Sequence, residues 1–540
     1  MNSLSCPVAV FLVAVLPVAP LAAEPDKAVR VVRVVEDFGA RCDGVADDAI
    51  AINSASEAIG KVGGGEVRFP ANATCNIGAP IVMRSNVVYR GADGSVVRGA
   101  VADIDEFQGY GVTNVTVRDV KITNSETYHG GSKTNPHPSG INLYASNQCL
   151  VSNVEMSNIS FVGVYLADTS HCRIEKLYAH DWAPNDPKEV GNPSDVALML
   201  NSNDNIVENS ELSGGGWHGV TIMNPYAEHA NPRRNIVRNN HIGRHTGYGV
   251  VIYVPYPEAD NLSEVTDNAI EHIEGSVIGN SSGACIYVVG GGGVTIARNR
   301  ISDCSAQSNN LTLTPGGVGI NGIAEWMKPV RIIENRIFDI TRYSGIYVAS
   351  SPGGAVVIGN AIRMPRKNSG GAGIAAVNAN KLIFERNRID IQGAAPYIAG
   401  VQIIASSKDV KDIKIVRNTI VGAAHSCVIT EQAGDARLFD FEIRGNTCEA
   451  GAITNVGLRL VNLTIANISE NKFSGPGEGL AQTNGIQVRY SRNEFNSPNA
   501  ILRYHGKNDG SIFERTNHHS SVIINDGTGV VFEEFLPREQ

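Results

Sequence analysis

The stretch LIFERNRI, residues 382–389, decides the fold of this chain. Apolar residues alternate, a charged pair follows, then Asn387, then one more apolar residue. The pattern recurs as NIVRNNHI (235–242), VTIARNRI (294–301), VRIIENRI (330–337), AVVIGNAI (355–362), IKIVRNTI (413–420) and FEIRGNTC (441–448), and continues in NISENKF (467–473) and YSRNEF (490–495). The repeated asparagine stands at 240, 299, 335, 360, 387, 418, 446, 471 and 493. Ser276 in EGSVI is read as filling the gap after Asn240, and weaker copies run upstream through VRDVKI, VSNVEM, IEKLYA and VENSEL. A second short strand, often opened by glycine, precedes most copies, as in SGINLYAS (139–146), HGVTIMN (218–224) and YGVVIYV (248–254).

One such unit cannot bury its own apolar face, whereas stacked units can, in a coil of parallel strands about 4.8 Å apart. The asparagine then has a physical task. Its amide can bond the same amide one coil above and below and satisfy buried turn groups. The units lack the leucine consensus of a leucine-rich repeat. Cys149 and Cys172 each lie five residues before Val154 and Leu177, which take the asparagine register in successive units. The two cysteines are therefore expected to be stacked neighbours, bonded or nearly touching.

Composition agrees with this reading. Only 6% of residues are aromatic and 18% charged, while 57 of 540 are glycine, a balance that favours short strands and tight turns over helical bundles. A net charge of −9 leaves no global basic field for nucleic acid. An apolar run from Val8 ending in small residues at Ala22-Ala23 is read as a secretory signal peptide over 1–23, although no Lys or Arg precedes it. No segment is long and apolar enough to span a bilayer. A secreted or periplasmic location follows. Eight cysteines remain after the leader, an even count that permits disulfides without assigning them. No CxxC pair marks a zinc site.

The open end of such a coil needs a cover. DDAIAINSASEAIGKVGGG supplies one: Asp47 caps a helix, Ile50, Ile52, Ala55 and Ile59 partly line one face, and Gly63 to Gly65 stop it. The stretch EDFGARCDGVADDAIAINSASEAI…GGGEVRFPA (36–71) resembles the N-terminal signature of the pectate-lyase-like superfamily, shared by polygalacturonase-like hydrolases, rhamnogalacturonan-degrading enzymes and phage tailspikes. The resemblance implies an all-β fold, a right-handed parallel β-helix with an N-terminal capping helix and an Asn ladder. It implies polysaccharide as the usual partner, without a reaction. The organisation read from this is a cap and first coils over 24–100, the β-helix over 101–500 and a C-terminal cap over 501–540.

In that family the sugar chain commonly lies along the outer face of the opening strands. With Val and Ile taken as inward, strand alternation places Asn142, Tyr144, Tyr165, Asp195, Met199, Thr221, Met223, Tyr253, Tyr287 and Tyr347 outward. Long insertions cluster before residue 330, which puts the site between about Ser139 and Tyr256. His218, beside Trp217, opens one strand, and Asp195 opens the strand one unit earlier. The pair is expected to serve as acid or base, with Tyr253 an alternative base. Arg233 and Arg234 are expected to neutralise a uronate carboxylate. Asn142, Tyr165 and Trp217 complete the expected substrate contacts.

Polygalacturonase-like hydrolases carry an Asn-Thr-Asp strand, then Asp-Asp, then Gly-His-Gly. NPSD resembles the first, but GGGWHGV follows with no acidic pair, and Asp168, Asp181 and Asp186 are the other acids at hand. The Asp-Pro-His motif of mannuronan epimerases is missing. The first expectation is therefore an exported enzyme that cuts an acidic polysaccharide by β-elimination. A glycoside hydrolase comes second and a non-catalytic polysaccharide-binding or adhesion β-helix third. Calcium is left open as a cofactor, with no acidic cluster marking a site.

Overall fold

The computed structural model describes residues 30–125, 135, 137–182, 193–214, 216–274, 283–304, 315–340, 342–365, 371–391, 399–423, 425–451, 456–496, 502–519 and 523–533. The segment read as a leader, Ser276 and Asp186 lie outside these residues. The described chain winds as one coil in which every strand pairs in parallel with its counterpart in the next turn. The opening strands show it: Ser139–Tyr144 pairs with Val162–Ala167, which pairs in turn with Ser194–Met199, His218–Met223 and Tyr248–Tyr253. From Ser194 onward two shorter strands complete most turns, such as Glu264–Thr266 and Ala269–Ile273. Pairing runs on to Ile523–Phe532.

Inward-facing residues of the opening strands form one continuous apolar column. Ile141, Val164, Val196, Val220, Val250 and Ile286 stack in register, and each is fully buried. Burial of this kind contributes roughly 1.5–3 kcal/mol per side chain. No single turn could supply it alone.

The asparagines line up as the repeat requires. In the middle of the stack, Asn387 Oδ1 accepts from both the backbone N–H and the Nδ2 of Asn360, at 3.0 Å each. Asn387 repeats both bonds to Asn418 Oδ1 and sends Nδ2 to the Val357 carbonyl at 2.9 Å. The column runs from Asn240 through Asn268 and Asn299 to Asn493 and Asn517. Asn268, not Ser276, therefore follows Asn240, because the loop before it displaces the repeat. The residue before each asparagine turns the chain through the left-handed region, with φ of 55° at Arg298, 54° at Glu334 and 52° at Arg386. That bend is unfavourable for a side-chain-bearing residue, and the amide column beside it holds the bend in place.

The helix Ala49–Lys61 covers the N-terminal end with Ile52, Ala55 and Ile59 buried. Asp47 Oδ1 accepts the N–H of Ala49 at 3.0 Å, although Asp48 holds the cap position itself. Ile50, expected on the packed face, is 82% exposed, because its position falls on the far side of the helical turn. Disulfides join Cys42 to Cys75, Cys285 to Cys304 and Cys427 to Cys448. Cys149 and Cys172 are stacked and buried but not bonded: the Cys149 N–H donates to Cys172 Sγ at 3.1 Å.

Candidate functional site

The outward residues of the opening strands form a wall along the coil. One row runs Gln108, Asn142, Tyr165, Ala197, Thr221, Val251, Tyr287. The next runs Tyr110, Tyr144, Ala167, Met199, Met223, Tyr253, Val289. At the N-terminal end the wall is aromatic and open. Tyr110 is 60% and Tyr144 39% exposed, with ring centres 6.0 Å apart. Tyr165 is half-buried one row over, and His137 stacks on it at 5.3 Å.

Asp168 stands at the end of this strand, where a φ of 49° turns the chain outward. It is half-exposed. The Asp168 carboxylate, facing the Tyr144 hydroxyl, holds that phenol above the usual range. Tyr165 is pushed up to about 12, mainly by burial and then by neighbours that include Tyr226, Asp168 and Asp105.

Asp105 is buried beneath the wall. Its Oδ1 accepts from the Ser139 N–H at 3.0 Å, and its Oδ2 from Asn142 Nδ2 at 2.9 Å and Gln108 Nε2 at 3.0 Å. Burial raises its carboxyl against the pull of those donors. The adjacent Glu106 is fully buried with Asn124 Nδ2 at 2.9 Å, and burial raises it to about 8. Its ordinary value is 4.5, so its contribution to stability is full below pH 4.5 and is lost as pH rises through about 8. Thermal melts from pH 5 to 9 are expected to show a falling midpoint for the wild type and a flatter profile for Glu106→Gln. Parallel profiles would contradict this assignment.

The pair expected from sequence does not form. Asp195 is fully buried and faces the interior of the coil. It occupies the register position of Gly219 one turn on, where an added Cβ would lie 2.4 Å from the core side chain of Ile242. Two successive residues face inward at this bend, so parity counted back from Val196 assigns Asp195 to the wrong side. Its carboxylate is satisfied by the Trp182 indole N–H and the Gly214 N–H, and His245 Nε2 lies 3.4 Å away. His245, not His218, is its partner.

His218 does lie on the outward side, where it is covered. Its Nδ1 accepts the Tyr248 N–H at 3.0 Å, and the two rings stack at 5.1 Å. Burial, more than the neighbouring His245, pushes it down to about 3. A neutral ring with Nδ1 occupied carries its proton on Nε2, so it can donate but not abstract. Trp217 is half-buried and tilted against His218 at 5.8 Å, and its buried indole N–H has no partner among the described residues. Arg234 is held bidentately by Asp204 at 2.7 and 2.6 Å, and Arg233 Nε donates to the Asp260 carbonyl at 2.9 Å. Both brace turns between coils. Asn142, Tyr165 and Tyr253 do reach the wall, although Asn142 is largely covered.

Among the described residues, Cys42, Asp48 and Cys75 are the one grouping of potential metal ligands. Both sulfurs are in a disulfide, and Asp48 accepts the N–H groups of Arg41 and Cys42. That grouping does not suit calcium, which takes six to eight oxygen ligands.

A family model described as "right handed beta helix region" matches residues 106–272 and 284–473. The chain belongs to this family. This β-helix protein matches no curated protein. Among solved structures it is similar to the A-module of a mannuronan C-5 epimerase from Azotobacter vinelandii, at 17% identity over 82% of this chain and 99% of that one, with a TM-score of 0.38. It is similar to an exopolygalacturonase from Thermotoga maritima, at 13% identity over 68% and 93%, TM-score 0.41. A surface adhesin of Streptococcus pneumoniae is similar at 12% identity over 95% and 96%, TM-score 0.37. Likeness at this level carries no argument about what the β-helix protein does.

Proposed function

We propose that this β-helix protein is an exported enzyme that hydrolyses an uncharged polysaccharide laid along the outward wall, with Asp168 as a reacting carboxylate. One observation carries the reading: a solvent-reached acid stands beside the open Tyr110–Tyr144 pair on a wall whose opening strands, from Phe107 to Ala405, contain no Lys or Arg. Aromatic faces stack on sugar rings, and a carboxylate can take the proton of an attacking water. Hydrolysis uses two carboxyl groups, one as base and one as acid to the leaving oxygen. Asp105, buried beneath the wall with both oxygens accepting from Ser139, Asn142 and Gln108, fixes the wall in place and does not itself meet the sugar.

Elimination at a uronate fits less well. It needs a cation on the sugar carboxylate and a free base. Arg234 is held by Asp204, His218 has no free lone pair, and Arg233 and Tyr253 alone would remain. Export is supported by the three disulfides, which persist in oxidising compartments. Among the described residues, no helix is long and apolar enough to cross a membrane.

The purified protein should release reducing ends from a neutral polysaccharide without forming the unsaturated chromophore of elimination. Formation of that chromophore from a uronate polymer would replace this reading with a lyase. Retention of glycans with neither product would leave a binder.

A further inference from the structure

A second surface has the makings of a sugar site. Trp326 is 60% exposed, in a chain with three tryptophans. Leaving so large an apolar ring in water is unfavourable unless something covers it. It lines a depression of about 470 Å³ with Lys328, Lys381, Ile383, Asp412 and Lys414. Asp412 and Lys414 also line a second depression of about 430 Å³, which continues to Glu442, Ile465 and Gln487. The two form one trough.

The floor of the trough follows from register. Val356, Ile383, Lys414, Glu442 and Asn467 stack on successive second strands and face outward. With about 4.8 Å per coil, the trough extends along the coil axis as an elongated ligand would require. Its charges balance: Lys328, Lys381 and Lys414 against Asp412, Asp440 and Glu442. Donors and acceptors along one trough beside an aromatic platform match a hydroxyl-rich, uncharged chain. A polyanion would meet the carboxylates and a polycation the lysines. This row lies on the second strands of the turns, not on the opening strands that carry Tyr110 and Tyr144, and further along the coil.

We propose that the trough from Trp326 to Gln487 is a non-catalytic binding site for a neutral polysaccharide, which stacks a sugar ring on Trp326 and runs along the row from Val356 to Asn467. It would tether a long chain while the wall acts on another stretch. The tethering role, but not the binding site, rests on the hydrolytic reading above.

The test is affinity electrophoresis in gels containing β-glucan, xylan, galactomannan or dextran, with Trp326→Ala and Lys414→Glu beside the wild type. Both side chains face solvent, so both variants should fold, which circular dichroism checks. At least one polysaccharide should retard the wild type, with retention weakened about tenfold in Trp326→Ala, a loss of the size expected for an aromatic contact. Turnover of short oligosaccharides should be unchanged in that variant, while turnover of the long polymer falls. A wild type retarded by none of the four, or equal retention of all three proteins, would overturn the proposal. Trp326-dependent retention without any turnover would preserve the site and remove the hydrolytic reading.

Discussion

Asp168→Asn is expected to lower kcat on the polysaccharide by about 10²–10⁴-fold, the range a positioned acid or base contributes, with little change in KM. The substitution is well suited to the position. Asp168 has a φ of 49°, a left-handed conformation that asparagine tolerates better than other residues with a side chain. The fold should therefore persist, and the loss can be read as chemistry. The new amide can still accept from the Tyr144 hydroxyl but cannot take a proton from water. Tyr110→Ala removes the most exposed ring of the pair and should raise KM instead. Initial rates of reducing-end release for the three proteins check both statements. Full activity in Asp168→Asn would remove this residue from the mechanism.

The largest effect on stability should come from the ladder. Asn387→Ala removes the acceptor for the Asn360 backbone N–H and for one Asn360 side-chain N–H, and the donor to the Val357 carbonyl. All three groups are buried where water does not reach. At about 1–3 kcal/mol for each unsatisfied group, the loss should be roughly 3–9 kcal/mol. The preceding residue gives the contrast. Arg386 has a φ of 52° and a solvent-facing side chain, so Arg386→Gly relieves the left-handed backbone and should cost nothing or stabilise slightly. Denaturant midpoints of the two variants should thus move in different directions, although the substitutions are adjacent. Equal small shifts would mean that the amide column is decorative.

Architecture was legible because the repeat obeys one rule over many copies. A buried turn amide needs a partner, and asparagine at one register position supplies it in coil after coil from Asn240 onward. The stacking of Cys149 under Cys172 follows from the same register, since Val154 and Leu177 do pair. The aromatic wall was legible too, because Tyr144, Tyr165 and Tyr253 alternate with core residues. The chemistry was harder to read. Period-two alternation fails at the start of the opening strand, where a bend sets two successive residues inward. Asp195 sits at that bend, so its interior partner His245 could not be found by counting. Arg234 read as a free cation because Asp204 is distant in sequence and adjacent only through coil stacking. Asp168 was noted as an acid, but only the left-handed turn at the strand end shows it standing beside Tyr144 on the wall.

The crystal structure of Asp168→Asn with an oligosaccharide of the cleaved polymer would test the account most directly. A sugar ring should cover the Tyr110–Tyr144 pair, with a glycosidic oxygen beside residue 168 and no ordered sugar against His218. An oligosaccharide bound elsewhere on the coil, with the tyrosine pair bare, would contradict it.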